Sequence, residues 1–259
     1  MRRQILPARI LAAKAMKNLT QLTELQPAKV GTTLPRLHLN DGVLECCKWL
    51  ALLLMTGDHI NKYLMGDSSP VLFNAGRAAM PIFVFVLAYN LARPGAFEHG
   101  TYHRAIQRLV ISGLVATPAF MALGGLLSGW WPLNIMFTLL TLTCVLYLYE
   151  SGGSVNKFTA AAIFLAAGSC VEFWWPAISL GASVWFYSRR PSVAALAVGT
   201  ISCAALYFVN SNFWAFAAFP LVACVARLNF RVPRTRWIFY TYYPAHLILL
   251  LLAQQTLSR

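Results

Sequence analysis

Nine apolar runs fill most of the chain beyond residue 43, and no polar stretch between them is long enough to fold alone. They lie at Leu44–Gly57, Gly76–Ala92, Ala105–Leu127, Pro132–Tyr149, Phe158–Cys170, Phe173–Tyr187, Val193–Val209, Phe213–Ala226 and Trp237–Gln254. With 58% hydrophobic and 11% charged residues, the chain has too little polar surface to cover a soluble globule of 259 residues. Lipid is therefore its expected solvent. A backbone in hydrocarbon must satisfy its own hydrogen bonds, so runs of this length are expected to be helices.

The net charge of +13 raises the possibility of nucleic acid. That partner needs basic residues gathered on one wet face, whereas here they punctuate apolar runs, which excludes it. Membrane topology accounts for the charge, because short cytoplasmic loops collect Lys and Arg. With the N-terminus inside, every Lys and Arg except Lys62, Arg77 and Arg259 falls on the inner side, 18 of 21. Fusing the fifth and sixth runs into one span would expel the arginines from Arg189 to Arg236. The expected fold is all-α: a polytopic helical bundle of about nine transmembrane helices, N-terminus cytoplasmic and C-terminus outside. Seven spans plus a re-entrant pair over residues 158–188 satisfy the charge rule equally.

Two parts are expected, a basic cytoplasmic segment at 1–42 and the membrane domain at 43–259. The first segment carries seven Lys and Arg up to Asn40 and no signal-length apolar run ahead of Arg9, Lys14 or Lys17. It reads either as a basic helix lying on an anionic leaflet or as a presequence. The six cysteines, with Cys46 and Cys47 adjacent and four in apolar runs, read as small core residues.

Ionisable residues close to hydrocarbon are costly and point to function. The first run ends TGDHINKYL, the second opens FNAGRAAMP, and VEFWWP joins the fifth and sixth. The topology therefore sets Asp58, His59, Lys62, Arg77 and Glu172 at one outer level. A general base, two cations and two carboxylates suit transfer to a nucleophile through an anionic intermediate. Asp58 and His59 are helix neighbours, about 100° apart, and do not face each other. Asp58 is expected to meet Lys62 four residues on, and Glu172 is the expected carboxylate partner of His59. His246, in YYPAHL, either joins the site or satisfies a backbone carbonyl freed by Pro244. His99 and His103 beside Glu98 have a metal-like spacing but read as hydrated loop residues, so no metal is expected. Trp130, Trp131, Trp174, Trp175 and Trp214 read as an interfacial belt. No phosphate loop, G-x-S-x-G elbow or C-x-x-C pair occurs.

The ordered strings CKWLALLLMTGDHINKYL, FNAGRAAMPIFVFVLAYNLARPG, GWWPLNIMFTLL, VEFWWP and YYPAHL resemble the TraX family over roughly Asp41 to Leu252. The matching positions are Asp58, His59, Asn61, Lys62, Arg77, Pro81, Asn90, Arg93, Trp131, Pro132, Asn134, Glu172 and His246. Asn90 and Asn134 are expected to bond between helices. The resemblance implies a multi-pass protein of the bacterial inner membrane, an acetyltransferase that N-acetylates the α-amino terminus of a conjugative pilin with acetyl-CoA as acyl donor. A weaker analogy links the family to membrane acyltransferases that use acyl-CoA. On that reading His59 is the general base, Arg77 or Lys62 stabilises the oxyanion, and Asp58, Glu172 and His246 complete the site. Arg93, Arg104 and Arg108, on the inner side, are the candidates for the CoA phosphates. The expected partners are the pilin subunit, acetyl-CoA and membrane lipids. Two other functions fit the residues: a transporter with a His246–Glu172 proton relay, and a noncatalytic membrane protein that docks pilins.

Overall fold

A computed structural model describes residues 34–228, 232–233, 235 and 237–257. The expected basic segment up to residue 33, and Arg231, Arg234, Arg236 and Arg259 of the charge count, lie outside the described residues.

Among the described residues the chain forms nine helical segments, one for each apolar run. They are α1 (Asp41–Leu64), a broken segment of α2 (Pro70–Gly76) and α3 (Ala79–Leu91), α4 (Thr101–Ala122), α5 (Ile135–Ser151), α6 (Ser154–Gly168) and α7 (Trp174–Arg189). Then come α8 (Val193–Ala205) continued by α9 (Tyr207–Asn210), a 3-10 turn (Trp214–Ala217) leading into α10 (Ala218–Arg227), and α11 (Ile238–Leu257). Three stretches are long and apolar enough to cross a membrane by length and composition: Pro70–Leu91, Thr101–Ala122 and Val193–Asn210.

Polar side chains fix where the helices begin. Asn40 Oδ1 accepts from the Val43 amide at 2.8 Å to start α1, Ser69 caps α2 ahead of Pro70, and Ser192 caps α8. Each satisfies an amide that the first helical turn leaves open. The compact unit begins at Pro35, ahead of the helical boundary. Tyr187 donates its hydroxyl to the Pro35 carbonyl at 2.8 Å, and the Leu39 amide donates to Tyr89 at 2.9 Å.

Six helices close a ring in the order α1, α11, α4, α5, α7 and α3, each packed on the next. Its interior carries the main apolar core, including Leu52, Leu109, Leu142, Ile178 and Leu247. Helix α8 packs on the outside of α7, and α6 on the outside of α5. Cys47 and Cys203 are buried and all six cysteines are free.

Pro244 sits inside α11 and, lacking an N–H, leaves the Tyr240 carbonyl without its helical donor. Ser112 of α4 donates its hydroxyl to that carbonyl at 2.6 Å, so the imidazole of His246 is not needed there. Ser112→Ala strands a buried carbonyl, and the expected cost is about 1–3 kcal/mol. A lowered melting point in detergent, with Ser112→Thr close to wild type, is the measurement that checks it.

Candidate functional site

At the end of the ring where α1 finishes, the helices line a cavity of about 210 Å³. Asp58, His59 and Lys62 of α1, Arg77 at the α2–α3 break and Glu172 from the connection between α6 and α7 all line it. Five of the six expected catalytic residues thus share one wall, although they span more than a hundred positions of sequence.

Asp58 and His59 diverge, as helical neighbours must. Asp58 turns towards the α2–α3 break and forms an ion pair with Arg77 rather than with Lys62. The break makes this possible. Arg77 ends α2 and its amide donates to Asn74 at 3.2 Å, while Nε donates to the Phe73 carbonyl at 3.1 Å and the guanidinium lies 4.3 Å from the centre of the Phe73 ring. Gly76 allows the approach, since a Cβ there would collide with the Asp58 side chain. The expected local pair loses because a bidentate-capable guanidinium held in place by its own helix end outcompetes a mobile ammonium.

His59 turns the other way, towards α11. Its Nδ1 lies 2.7 Å from Nε2 of His246, and the rings stack with centroids 5.0 Å apart. The partner of His59 is therefore His246 and not Glu172, a correction to the sequence reading. Nδ1 of His246 is 3.1 Å from the Tyr242 carbonyl. A carbonyl only accepts, so this nitrogen carries a hydrogen. In a neutral ring Nε2 is then an acceptor, and Nδ1 of His59 must donate to it. Nε2 of His59 is left as a lone pair on a ring that lines the cavity. One backbone carbonyl thus sets the tautomer of both imidazoles, the role an outer partner plays for a working histidine. Tyr242 is itself fixed by a 2.8 Å bond between its hydroxyl and Thr56 Oγ1.

Glu172 is held through its backbone. Its amide donates to the Leu133 carbonyl at 2.9 Å, and the Leu133 amide donates to the Cys170 carbonyl at 2.8 Å, a parallel bridge between the α4–α5 and α6–α7 connections. Thr138 donates to the Glu172 carbonyl at 2.6 Å. Phe173 and Trp174, with φ of 62° and 48°, then turn the chain sharply into α7. Left-handed backbone at two consecutive non-glycine residues is strained, and such strain collects at sites. Burial pushes the Glu172 carboxyl up to about 7, against the pull of Lys62, the Ile135 amide and Arg77.

Lys62 reaches the cavity with its ammonium 5.2 Å from the Tyr63 ring centre, and among the described residues no carboxylate lies within ion-pair distance of it. Asn61, fully buried, accepts from the Ser69 amide at 2.8 Å and ties α1 to α2. Asn134 bonds between helices, donating to the Gly113 carbonyl of α4 at 3.1 Å. Asn90 does not, for it donates to Val86 of its own helix at 2.9 Å.

The three arginines expected on the inner side separate. Arg104 and Arg108 line a second cavity of about 350 Å³ at the other end of the ring, where Arg108 lies 4.3 Å from the Trp237 ring centre. Arg93 is elsewhere, paired with Asp41 at 2.6 Å. His99 contacts the Gly95 carbonyl at 2.5 Å and His103 packs on Tyr147. No group of three metal-binding side chains gathers among the described residues. Tyr63, at the end of α1, and Tyr243, inside α11, also line the cavity of His59; sequence reasoning missed both, because an aromatic in an apolar run carries no mark that separates a cavity wall from the rest of the core or an interfacial belt.

A family model described as TraX protein matches residues 43–254, which spans every residue of both cavities. This chain belongs to the TraX family. A curated TraX protein of Escherichia coli strain K12 is 34% identical over 128 residues, 49% of this chain and 47% of that protein. A second Escherichia coli TraX protein is 34% identical over 126 residues, again 49% and 47%. The match spans about half the length of these TraX relatives. No solved structure matches the chain.

Proposed function

We propose that this protein is a multi-pass acetyltransferase of the bacterial inner membrane that transfers an acetyl group from acetyl-CoA to the α-amino terminus of a conjugative pilin. The observation that carries the reading is the acceptor lone pair on His59 Nε2, fixed through His246 by the Tyr242 carbonyl, on a residue that lines one cavity with Lys62. A base beside an uncommitted cation suits acyl transfer to an amine.

An α-amine has a pKa of about 7.7–8.0, so a useful fraction is neutral near pH 7. Its nitrogen attacks the thioester carbonyl carbon, forming the C–N bond. Lys62 meets the negative charge that develops on oxygen. His59 Nε2 takes the amine proton, the C–S bond breaks, and the departing thiolate receives that proton to leave as the free thiol. Arg77 shapes the wall and holds Asp58. Glu172, whose carboxyl burial pushes up, lines the same cavity and attracts the incoming ammonium when ionised. Arg104 and Arg108 suit the phosphates of the acetyl-CoA substrate, since guanidinium groups bind phosphate bidentately.

Nine spans with the N-terminus inside put the His59 cavity on the outer side, where a pilin freed of its signal presents its amine; the 18-of-21 partition of basic residues supports that orientation. Intact mass of a conjugative pilin made with and without this protein tests the reading. A gain of one acetyl group at the α-amine is expected, and an unchanged mass overturns it.

A further inference from the structure

The two cavities share four lining residues: Met55, Phe83, Ile135 and Tyr243. Each comes from a different helix of the ring, α1, α3, α5 and α11. The order of lining residues along the helices agrees. On α1, Lys48 and Leu52 face the inner cavity, Met55 both, and Asp58, His59 and Lys62 the outer one. On α3 the order runs in reverse, from Met80 in the outer cavity through Phe83 to Val86 and Asn90 in the inner. On α11, Phe239 and Tyr240 face the inner cavity and Tyr243 both. The cavities therefore lie end to end along the ring interior. From Lys48 to Lys62 they cover about 21 Å of helix.

We infer that the two cavities are one passage through the helix ring, narrowed where Met55, Phe83, Ile135 and Tyr243 meet, and that this narrowing admits the slender thioester arm of an acyl donor. The donor's phosphates stay with Arg104 and Arg108 while the acyl group reaches His59. The identity of what passes rests on the acetyl-transfer reading; the passage itself does not. Chemistry favours a thin, flexible arm. Met55, Ile135 and Tyr243 are almost fully buried, whereas Phe83 is only partly buried and lines both cavities. A narrowing lined by three well-buried side chains and the less buried Phe83 suits a methylene-and-amide chain and not a nucleotide, so only the arm crosses. The cytosolic donor and the outer acceptor then meet without either crossing the membrane whole.

The test uses the full protein in oriented proteoliposomes. Met80→Cys puts a thiol in the outer cavity beyond the narrowing, and 2-sulfonatoethyl methanethiosulfonate is supplied only on the Arg104 side, with modification read on the peptide carrying position 80. Labelling is expected, and adding Phe83→Trp slows it at least tenfold while labelling from the opposite side stays as it was. Ile135→Trp gives the second block. Absence of labelling from the Arg104 side, an unaltered rate in both tryptophan variants, or equal slowing from both sides overturns the passage. A parallel assay supplies acetyl-CoA on the Arg104 side and pilin on the other. Phe83→Trp is expected to lower acetylation at least tenfold, and S-acetyl-N-acetylcysteamine, given on the pilin side, serves wild type and variant alike. Labelling that crosses with no acetylation in wild type defeats the acetyl reading and leaves the passage standing; acetylation with Phe83→Trp indifferent in both assays defeats the passage alone.

Discussion

On the proposed acetyl-transfer reading, His59→Gln is expected to lower acetylation of pilin by about 10²- to 10⁴-fold, the range that a positioned general base contributes. Gln keeps a polar side chain of similar length and an N–H that can still reach His246 Nε2, but it has no basic lone pair to place in the cavity. Membrane level and melting behaviour should hold, because the imidazole pair is one hydrogen bond in a ring of six packed helices. His246→Gln is the informative companion. Its side-chain oxygen accepts from His59 Nδ1 as the imidazole does, so the tautomer survives and the loss is smaller, while His246→Leu removes the acceptor and releases both tautomers. Acetylated pilin per unit of membrane protein, measured by intact mass against time, ranks the variants. Equal rates for His59→Gln and wild type would remove His59 from the mechanism.

Arg77→Gln acts first on stability. The Asp58–Arg77 pair has side chains only 15% and 14% exposed, and removing one partner leaves a mostly buried charge uncompensated. Such losses cost about 3–5 kcal/mol, and the lower end applies here because the pair borders a cavity and is not fully buried. The double variant Asp58→Asn with Arg77→Gln carries no stranded charge and should recover more than half of the loss. Thermal unfolding in detergent of the two single variants and the double variant closes the cycle. A simple sum of the single effects would show that the two side chains act independently.

The helices were legible because their signal is local. Each apolar run became a helical segment, and the ends fell at Asn40, Ser69, Asn134 and Ser192, residues whose side chains cap. The common level of Asp58, His59, Arg77 and Glu172 was legible too, since run boundaries fix depth along a helix. Azimuth was not. Which way His59 points depends on how α1 packs against a helix 187 residues downstream, and no periodicity within α1 reports it. The Asp58–Lys62 expectation failed for a related reason: the i,i+4 rule describes an isolated helix, and Gly76 brings a second helical segment within reach of Asp58. Pro244 was recognised as freeing a carbonyl, but its actual donor, Ser112, lies on another helix.

The Tyr242 carbonyl has a consequence for how such a site drifts over generations. Every residue type carries that oxygen, so replacements at position 242 that keep α11 helical leave the proton arrangement of both imidazoles as it is. The hydroxyl bond to Thr56 is lost in such changes; the instruction to the histidines is not. Proton placement here comes from the main chain, and it depends on the side chains at 59 and 246 but not on the carbonyl-bearing residue's own side chain.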